Sequence, residues 1–513
     1  MADKKNKNRK NLWEKIKNNP FPVIFIISLI AFIFKYKGFP RADANAQLVG
    51  IYHAANPEYF KNDFYANSFS SFDVTTSFTK LVNLVNTPIN NYEITYMLLL
   101  FASMFVFSIG FYKIVFLLTK NRELSLFSII LPLSVYTMRI GIGNTFEIGN
   151  CLIPANIAWA IAIWPLYFYL KEKYSLSFFL LGLASIFHVL IGILLFGAFF
   201  FNLLLNKKYK SIFSSLYFFI LFAVTAIPLF ISNAKTSSQD PAKIISALGF
   251  RSPWHYLPST WPLPDWITFF SFFIFFLIIF YKFSKIDKEY KKIFEGFLII
   301  ILVYYLIGTI FVELIPLKFI IKLQLFRITE LLNIIELIFV GIFFYNYIYK
   351  KFPKKIKIFL IFLVCSASLI YLFFNPLLSR YEFDKDTAEM YDFIKTSTPE
   401  DSVFLAPLHM LSFRIGTMRA IVIDFKGVPF GEKFIVEWYN RLVDVTNNFG
   451  GNSNFYHSEE YELFLRKGYN SLTAEDVRNL QNKYSFSYAV FEKPSDLEFS
   501  KHFENGKYVV YKI

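Results

Sequence analysis

The chain has 513 residues, of which 55% are hydrophobic and 18% are charged, and its formal net charge is +15. Soluble domains average roughly 25% charged residues, so the composition excludes an ordinary soluble protein and favours a membrane protein. Residues 380–513 hold 16 Lys and Arg against 20 Asp and Glu, so the excess positive charge lies in the preceding part of the chain. Nucleic-acid binding is therefore not predicted, and the 2 cysteines indicate no disulfide framework.

The chain begins with a basic tail, residues 1–20, and continues as a series of apolar segments through residue 379. A helix needs about 20 apolar residues to cross a bilayer, and the backbone must be helical because lipid offers no hydrogen-bond partners. We predict a polytopic α-helical membrane domain over residues 21–379 with about eleven membrane segments. In chain order these are 21–36, 92–118, 124–138, 153–170, 175–187, 189–205, 211–232, 265–281, 293–313, 328–348 and 358–374.

Basic residues are divided unevenly between alternate loops of this membrane domain. If the N-terminus is cytoplasmic, the inner loops total 51 residues with 24 Lys and Arg, whereas the outer loops total 117 residues with 12. Lys and Arg accumulate on the cytoplasmic side of membrane proteins. The asymmetry predicts a multi-pass inner-membrane protein of a prokaryote, with a cytoplasmic N-terminus, a long first outer loop at 37–91 and an extracytoplasmic C-terminal domain.

The apolar run 175–205 has basic residues at both ends, with Lys171 and Lys173 before it and three lysines within 207–210 after it. A single crossing would place one of these basic clusters on the outer side, against the positive-inside rule. We therefore predict a hairpin of two short helices that turns near His188 and Gly192.

Residues 380–513 differ in character, because polar residues return and the apolar runs become short. Asp384 can cap a helix over 385–395, and Thr473 with Asp476 is typical of a capping box. Strands are predicted at 402–406, 420–424, 485–491 and 508–513, and helices near 431–446, 458–467 and 474–484. Alternating strands and helices indicate a small extracytoplasmic α/β domain that covers or flanks the membrane site.

Two acidic residues of the first outer loop are candidate catalytic residues. Asp43 follows the first membrane segment and shares a face with Gln47 if 43–54 is helical. A carboxylate at the membrane surface could act as general base toward an acceptor hydroxyl. Asp63 could ligate a divalent metal, Mg²⁺ or Mn²⁺, or position a substrate. The alternative for both residues is a solvated loop carboxylate or a helix cap.

Four further residues are candidates for binding substrate or phosphate. His188 lies inside an apolar run, where polar side chains are often functional, although a hydrogen bond between helices would also explain it. Lys322 and Arg327 lie in an outer loop, where the positive-inside rule disfavours cations. A bound phosphate would explain these two residues, and so would lipid headgroups. Arg139 and Glu147 bracket a short outer loop and could simply pair with each other.

These features together resemble the GT-C superfamily of membrane glycosyltransferases, whose members share a cytoplasmic N-terminus and a long first outer loop with an acidic residue soon after the first helix. The segments that carry the resemblance are Asn56–Tyr65, Phe187–Gly192, Leu323–Arg327, Thr398–Phe404 and Lys483–Val490. The resemblance implies that Asp43 is the base, that a polyprenyl-phosphate sugar is the donor and that Arg327 holds the donor phosphate. Many members carry two adjacent acidic residues in this loop, whereas Asp43 stands alone.

Three functions follow as hypotheses. The first is a glycosyltransferase that passes a sugar from a polyprenyl-phosphate donor to an envelope acceptor at the outer membrane face. The second is a transporter or lipid flippase, and the third is a non-catalytic scaffold in envelope polysaccharide assembly. The expected partners are membrane lipids and the lipid-linked donor. Convergence of the polar outer-face residues on one cavity would favour the enzyme.

Overall fold

The computed structural model describes residues 19–41, 43–69, 72–134, 142, 149–235, 241–374, 377–378, 383–447 and 458–513. Over these residues the protein is a bundle of apolar helices with a small sheet domain at its C-terminal end. Arg139 and Glu147 lie outside the described residues, so the predictions for them stay predictions.

The first helix, α1 (Phe21–Lys35), begins after Pro20 and leads into a loop that is largely helical. The described part of residues 37–91 contains α2 (Asp43–Ala55), α3 (Phe64–Ser68) and α4 (Thr76–Ile89). The helix considered at 43–54 is therefore confirmed. Helix α4 was not predicted, and it packs against α2 with its apolar face buried.

The helices between α4 and the C-terminal domain account for most of the apolar sequence. In chain order they are α5 (Tyr92–Thr119), α6 (Arg122–Ser128), α7 (Ile130–Ser134), α8 (Pro154–Leu170), α9 (Tyr174–Phe187), α10 (Val189–Leu205), α11 (Leu216–Lys235), α12 (Pro241–Arg251), α13 (Pro253–Tyr256), α14 (Leu263–Ile278), α15 (Lys288–Thr309), α16 (Lys318–Leu323), α17 (Thr329–Tyr347) and α18 (Lys354–Phe374). Short turns of other helical types extend α11, α14, α15 and α17.

Six helical stretches within the described residues are long and apolar enough to cross a membrane. They are Tyr92–Thr119, Tyr209–Lys235, Leu263–Phe283, Lys288–Leu314, Lys318–Lys351 and Lys354–Phe374. Each contains one predicted segment, so the prediction of several apolar helices of membrane-spanning length is confirmed. The other five predicted segments fall on shorter helices over their described residues, and the total of eleven crossings stays a prediction.

The predicted hairpin at 175–205 is present. His188 ends α9 and begins α10 with an extended backbone, φ −149° and ψ 97°. The rings of Phe178 and Phe196 have centroids 5.8 Å apart, whereas an unbroken helix would separate these residues by about 27 Å. Gly192 packs so closely on Ser185 that an added Cβ would lie 2.3 Å from the serine Cβ. The two helices are therefore antiparallel and turn at His188.

The loops predicted to share a side of the membrane contact one another. Lys208 pairs with Glu172 at 2.8 Å, and Lys357 pairs with Glu123 at 3.4 Å, so four loops predicted to be cytoplasmic meet in pairs. The C-terminal domain contacts the other end of the bundle, at the loops within 37–91, 241–262 and 315–328. We call this end the domain side.

The C-terminal domain is a mixed five-stranded sheet between helices. Its elements are α19 (Lys385–Ser397), β1 (Val403–Leu405), α20 (Phe413–Thr417), β2 (Ala420–Ile421), α21 (Glu432–Val445), α22 (Ser458–Asn470), α23 (Ala474–Tyr484), β3 (Tyr488–Glu492), β4 (Ser500–Glu504) and β5 (Tyr508–Lys512). The strand order is β2-β1-β3-β5-β4. Strands β2, β1 and β3 are parallel, whereas β5 is antiparallel to both β3 and β4.

Strands β1, β3 and β5 are buried on both faces, whereas the edge strand β4 is mostly exposed. One apolar cluster contains Trp438 and Leu442 of α21, and the other contains Met390 and Ile394 of α19. The predicted α/β domain is thus confirmed as helices on two faces of a sheet. The carboxyl end of β2 leads into Asp424, which pairs with Arg414 of the same domain, and into Lys426, which pairs with Asp43 on the domain side of the membrane bundle.

Candidate functional site

Asp63 joins the first loop to the C-terminal domain. Its Oδ1 accepts hydrogen bonds from the backbone N–H groups of Tyr65 (2.8 Å) and Ala66 (3.0 Å), so Asp63 caps α3. Its Oδ2 accepts from Arg414 Nε (2.7 Å) and from the backbone N–H of Ile421 (2.9 Å). The side chain is fully buried. The helix-cap alternative for Asp63 is therefore confirmed, and the cap is also an interdomain anchor.

Arg414 lies between two carboxylates in this anchor. Its Nε donates to Asp63, and its Nη1 donates to Asp424. The guanidinium also lies 5.4 Å from the centre of the Tyr65 ring. A buried charge is tolerated only when it is paired and hydrogen-bonded, and Arg414 is 1% exposed. We name Asp63, Arg414 and Asp424 the buried clamp.

The buried clamp does not fit the metal predicted at Asp63. Both oxygens of Asp63 already accept two hydrogen bonds, which uses the lone-pair positions of an ionised carboxylate. Within the described ranges, no group of three or more His, Cys, Asp and Glu side chains is arranged to hold a metal ion. We therefore assign Asp63 to the interface between loop and domain and derive no step through a metal.

Asp43 makes a different contact with the same domain. It is the first residue of α2, and its Oδ1 lies 2.6 Å from Lys426 Nζ. Burial raises the pKa of the Asp43 carboxyl, but the charges of Lys426 and Arg251 outweigh that effect, so the pKa lies below its ordinary value. Asp43 is thus ionised at neutral pH, as a general base must be.

Lys322 is not directed at an open site. Its Nζ lies 2.5 Å from Glu432 Oε1 at the beginning of α21, and Lys318 Nζ lies 3.1 Å from the same oxygen. The structure therefore gives these two lysines a role in attaching the C-terminal domain, which explains why cations occur in this loop without a bound phosphate.

Arg327 begins a polar network on the domain side. Its Nε donates to Gln324 Oε1, and Gln324 Nε2 donates to the Tyr256 hydroxyl at 2.8 Å. Its Nη1 lies 3.7 Å from Glu330 Oε1, and Glu330 Oε2 accepts from Trp159 Nε1. Arg327 is thus oriented by neighbours on three segments of the bundle.

His188 lies at the end of the bundle that carries Arg327. Helix α10, which begins after His188, packs against the Leu325–Ile328 turn. His188 Nδ1 accepts from the backbone N–H of Ile191 at 3.4 Å and caps α10. Two of the predicted binding residues, His188 and Arg327, are therefore brought together by the hairpin.

A series of polar contacts leads from Asp43 to Arg327. Lys426 pairs with Asp43, and its carbonyl oxygen accepts from Arg251. Tyr256 of the adjoining helix α13 is hydrogen-bonded to the Gln324 that Arg327 contacts. We call the residues Asp43, Arg251, Tyr256, Gln324, Arg327 and His188 the polar belt. Asp63 and Lys322 lie outside it, in contacts between domains.

An apolar cavity of about 230 Å³ adjoins the Arg327 end of the polar belt. It lies between α14, α15 and α17, and its lining includes Phe326, Tyr305, Phe270 and Leu302. Phe270 and Leu302 are also exposed on the outside of the bundle, so the cavity borders its apolar outer surface. It therefore suits a hydrocarbon chain rather than a polar substrate.

Helix α17 carries polar residues that sequence reasoning passed over. Glu330, Asn333 and Glu336 are buried at successive turns of this helix. Their i, i+3 spacing places them on one face, and that spacing was visible in the sequence as a signal. The partners of Asp63, by contrast, are Arg414 and Ile421, which lie more than 350 positions away in the sequence. No local sequence pattern predicts a contact between residues so far apart.

The comparison with known proteins concerns the C-terminal domain. Residues 385–445 match a family described as Domain of unknown function (DUF6798). No curated protein matches the chain. The matched stretch contains Arg414, Lys426 and Glu432, the C-terminal residues in the ion pairs above that cross to the membrane bundle.

Proposed function

We propose that the protein is a membrane glycosyltransferase-like enzyme that moves a sugar from a polyprenyl-phosphate donor to a hydroxyl acceptor at the outer face of the membrane. The observation that carries the proposal is the apolar cavity beside Arg327. A lipid phosphate has a hydrocarbon chain and an anionic head. The apolar cavity suits the chain, and the guanidinium of Arg327, the residue that follows the cavity-lining Phe326, suits the head. The sugar-bearing end of such a donor would extend along the polar belt toward Asp43.

Asp43 supplies the base in this proposal. The acceptor oxygen attacks the anomeric carbon of the sugar, and the bond from that carbon to the phosphate oxygen breaks. The proton of the acceptor hydroxyl passes to Asp43, and the lipid phosphate leaves with the bonding electron pair. A positioned base contributes roughly a hundred- to ten-thousand-fold in rate. Lys426 supports this role because its charge keeps the Asp43 carboxylate ionised.

The decisive experiment is complementation of a deletion strain of the native host, with mass spectrometry of its lipid-linked sugars. The deletion strain should accumulate the donor, and the wild-type gene should clear it. Asp43→Asn keeps the shape of the side chain and should leave the donor uncleared, with normal amounts of protein in the membrane. Glu58→Gln is the matched control, since Glu58 is an exposed carboxylate of the same loop that pairs with Lys61.

Orientation is part of the proposal, since the chemistry is placed outside the cytoplasm. The basic loops joined by the pairs Lys208–Glu172 and Lys357–Glu123 lie at the end of the bundle opposite the domain side. Their basic residues support a cytoplasmic location for that opposite end. A reporter enzyme fused after Ile513 should therefore behave as exported. A cytoplasmic signal from the fusion would contradict the proposed location of the domain side.

A transporter or lipid flippase is the second candidate, and α17 favours it. Buried carboxylates within a membrane helix are costly and often mark a substrate or proton pathway, and Glu330 and Glu336 are each 1% exposed. Glu336→Gln would abolish a transport function, whereas sugar transfer should survive it. Clearance of the lipid-linked donor by Asp43→Asn protein would remove the base assignment and favour transport or a scaffold role.

A further inference from the structure

The two lysines near Arg327, Lys318 and Lys322, already pair with a carboxylate of the protein. Other cationic side chains are therefore better candidates for binding an anionic ligand. Glu432 lies 3.1 Å from Lys318 and 2.5 Å from Lys322. Both lysines share one carboxylate, so each already has an ionised partner within the protein. Arg327 and Arg251 of the polar belt are the next cations to consider, because their hydrogen-bond acceptors are neutral side chains and a backbone carbonyl.

Arg327 is only partly committed to protein partners. Charge-assisted hydrogen bonds between guanidinium and carboxylate are about 2.7–2.9 Å long, whereas Arg327 Nη1 and Glu330 Oε1 are 3.7 Å apart. The Nε of Arg327 donates to the neutral Gln324 side chain. The side chain of Arg327 is 17% exposed, so part of its guanidinium remains accessible to a ligand.

Arg251 resembles Arg327 in this respect. Its Nη1 donates to Ser252 Oγ at 3.2 Å, and its Nη2 donates to the Lys426 carbonyl oxygen at 3.5 Å, so both acceptors are neutral. Its Nε is buried and has no hydrogen-bond partner among the residues that the structure describes. The guanidinium is held 5.2 Å from the centre of the Phe425 ring. Arg251 is therefore positioned by packing, with hydrogen-bonding capacity left over.

Tyr256 and Gln324 connect the two arginines. Tyr256 follows Arg251 within the adjoining helix α13, which packs against the Leu325–Ile328 turn that carries Arg327. Gln324 donates to the Tyr256 hydroxyl at 2.8 Å and accepts from Arg327. Burial raises the pKa of that hydroxyl, and the charges of Arg327 and Arg251 partly offset the rise. Arg327 is thus joined to the Tyr256 hydroxyl through Gln324, and Arg251 ends the helix that directly precedes the helix of Tyr256.

We propose that Arg251 and Arg327 together bind a diphosphate, so that the donor is a polyprenyl diphosphate-linked sugar rather than a monophosphate. A guanidinium matches one phosphate with two parallel N–H donors, and two guanidinium groups match two successive phosphates. The apolar cavity begins at Phe326, next to Arg327, and takes the first part of the lipid chain. Arg251 then holds the phosphate nearer the sugar and Asp43. This inference rests on the proposed function and specifies its substrate class.

Binding measurements on the purified full-length protein in detergent test the inference. The probes are farnesyl diphosphate, farnesyl monophosphate and inorganic pyrophosphate. The wild-type protein should bind farnesyl diphosphate at least about tenfold more tightly than the monophosphate, since one additional charge-assisted contact is worth about that factor. Inorganic pyrophosphate should bind more weakly than farnesyl diphosphate because it has no chain for the cavity. Equal affinity for pyrophosphate would overturn the assignment to a lipid.

Substitutions of Arg251 and Arg327 distinguish the roles of the two arginines in binding the lipid phosphates. Arg251→Gln should remove the preference for diphosphate and leave monophosphate affinity nearly unchanged, whereas Arg327→Gln should weaken both lipids by about tenfold. Arg251→Lys keeps a cation near Phe425 and should retain part of the preference, which guards against an effect of misfolding. Arg478→Gln is the charge-matched control, because Arg478 stacks on Phe499 within the C-terminal domain.

The outcomes distinguish this inference from the proposed function. If the wild-type protein binds both farnesyl lipids with equal affinity, the two-arginine site is wrong but a lipid-phosphate donor survives. If Arg251→Gln protein keeps the full diphosphate preference, the role of Arg251 is wrong. If neither lipid binds, the proposed function itself fails.

Discussion

Two carboxylates of one loop contact the same C-terminal domain and differ in nearly every physical respect. Asp63 is fully buried, and its two oxygens accept four hydrogen bonds, one of them from Arg414. The Asp43 side chain is 47% exposed and pairs with Lys426. Both residues were candidates for catalysis on the sequence alone, because each is an acidic residue of the first outer loop.

The difference shows which contact holds the structure and which leaves room for chemistry. A fully hydrogen-bonded buried carboxylate has no lone pair to offer a substrate, and removing it strands a buried cation. A half-exposed carboxylate paired with one lysine can exchange that partner for a substrate at small cost, because exposed pairs contribute about 0–1 kcal/mol. The following predictions test this distinction.

The largest expected effect is that of Asp63→Ala. Breaking a buried pair by removing one partner costs about 3–5 kcal/mol, and this change also removes the cap of α3. The C-terminal domain should detach from the first loop, which protease cleavage of the purified protein at rising temperature would detect. Glu58→Gln in the same loop should leave the cleavage curve unchanged. An Asp63→Ala protein as resistant as the wild type would contradict the buried clamp.

A smaller effect is expected from Arg414→Lys. Lysine keeps the positive charge but lacks the planar fork that donates to Asp63 and Asp424 at once. One buried carboxylate then loses its charged donor, at a cost of about 1.5–3 kcal/mol. Thermal unfolding should place this variant between the wild type and Asp63→Ala. Arg478→Lys provides the control, because Arg478 makes its ring contact with Phe499 outside the clamp.

Local patterns and charge were sufficient for much of the fold. The lysines at both ends of 175–205 predicted the hairpin, and its turn lies at His188. The helix at 474–484 was predicted with its bounds, since Thr473 and Asp476 form the capping box that the spacing indicated. The residues of the capping box lie within one helical turn, and the lysines directly flank the apolar run. Such features can be recognised without knowledge of the tertiary contacts.

Other elements depend on contacts that the sequence does not display. Strand β4 (Ser500–Glu504) was missed because its side chains are mostly exposed and show no apolar alternation, as suits an edge strand. The role of Asp63 was missed because its partner Arg414 lies 351 positions away in the sequence. Likewise, the pairing of Lys322 with Glu432 joins positions 110 residues apart.

The smallest effect on stability is expected from Lys426→Gln. This change tests how the contribution of the Asp43–Lys426 pair to stability depends on pH. The side chains of Lys426 and Asp43 are 27% and 47% exposed, so loss of the pair should cost no more than about 1 kcal/mol. Because the folded state lowers the pKa of Asp43, the pair stabilises the fold above the unfolded carboxyl pKa of about 4. That contribution is lost as pH falls through the lower folded value.

Activity should respond more clearly than stability to the same change. In the wild type the low-pH limb of sugar transfer should lie below about pH 4, because Lys426 keeps Asp43 ionised. In Lys426→Gln protein the burial of Asp43 is no longer opposed by its nearest cation, so the pKa rises and the limb moves to higher pH. Transfer rates from pH 3 to pH 8 would measure the shift, with Lys483→Gln as control, since Lys483 pairs with Asp444 within the C-terminal domain. An unchanged limb would show that the ionisation of Asp43 does not limit sugar transfer, which would contradict its role as the base.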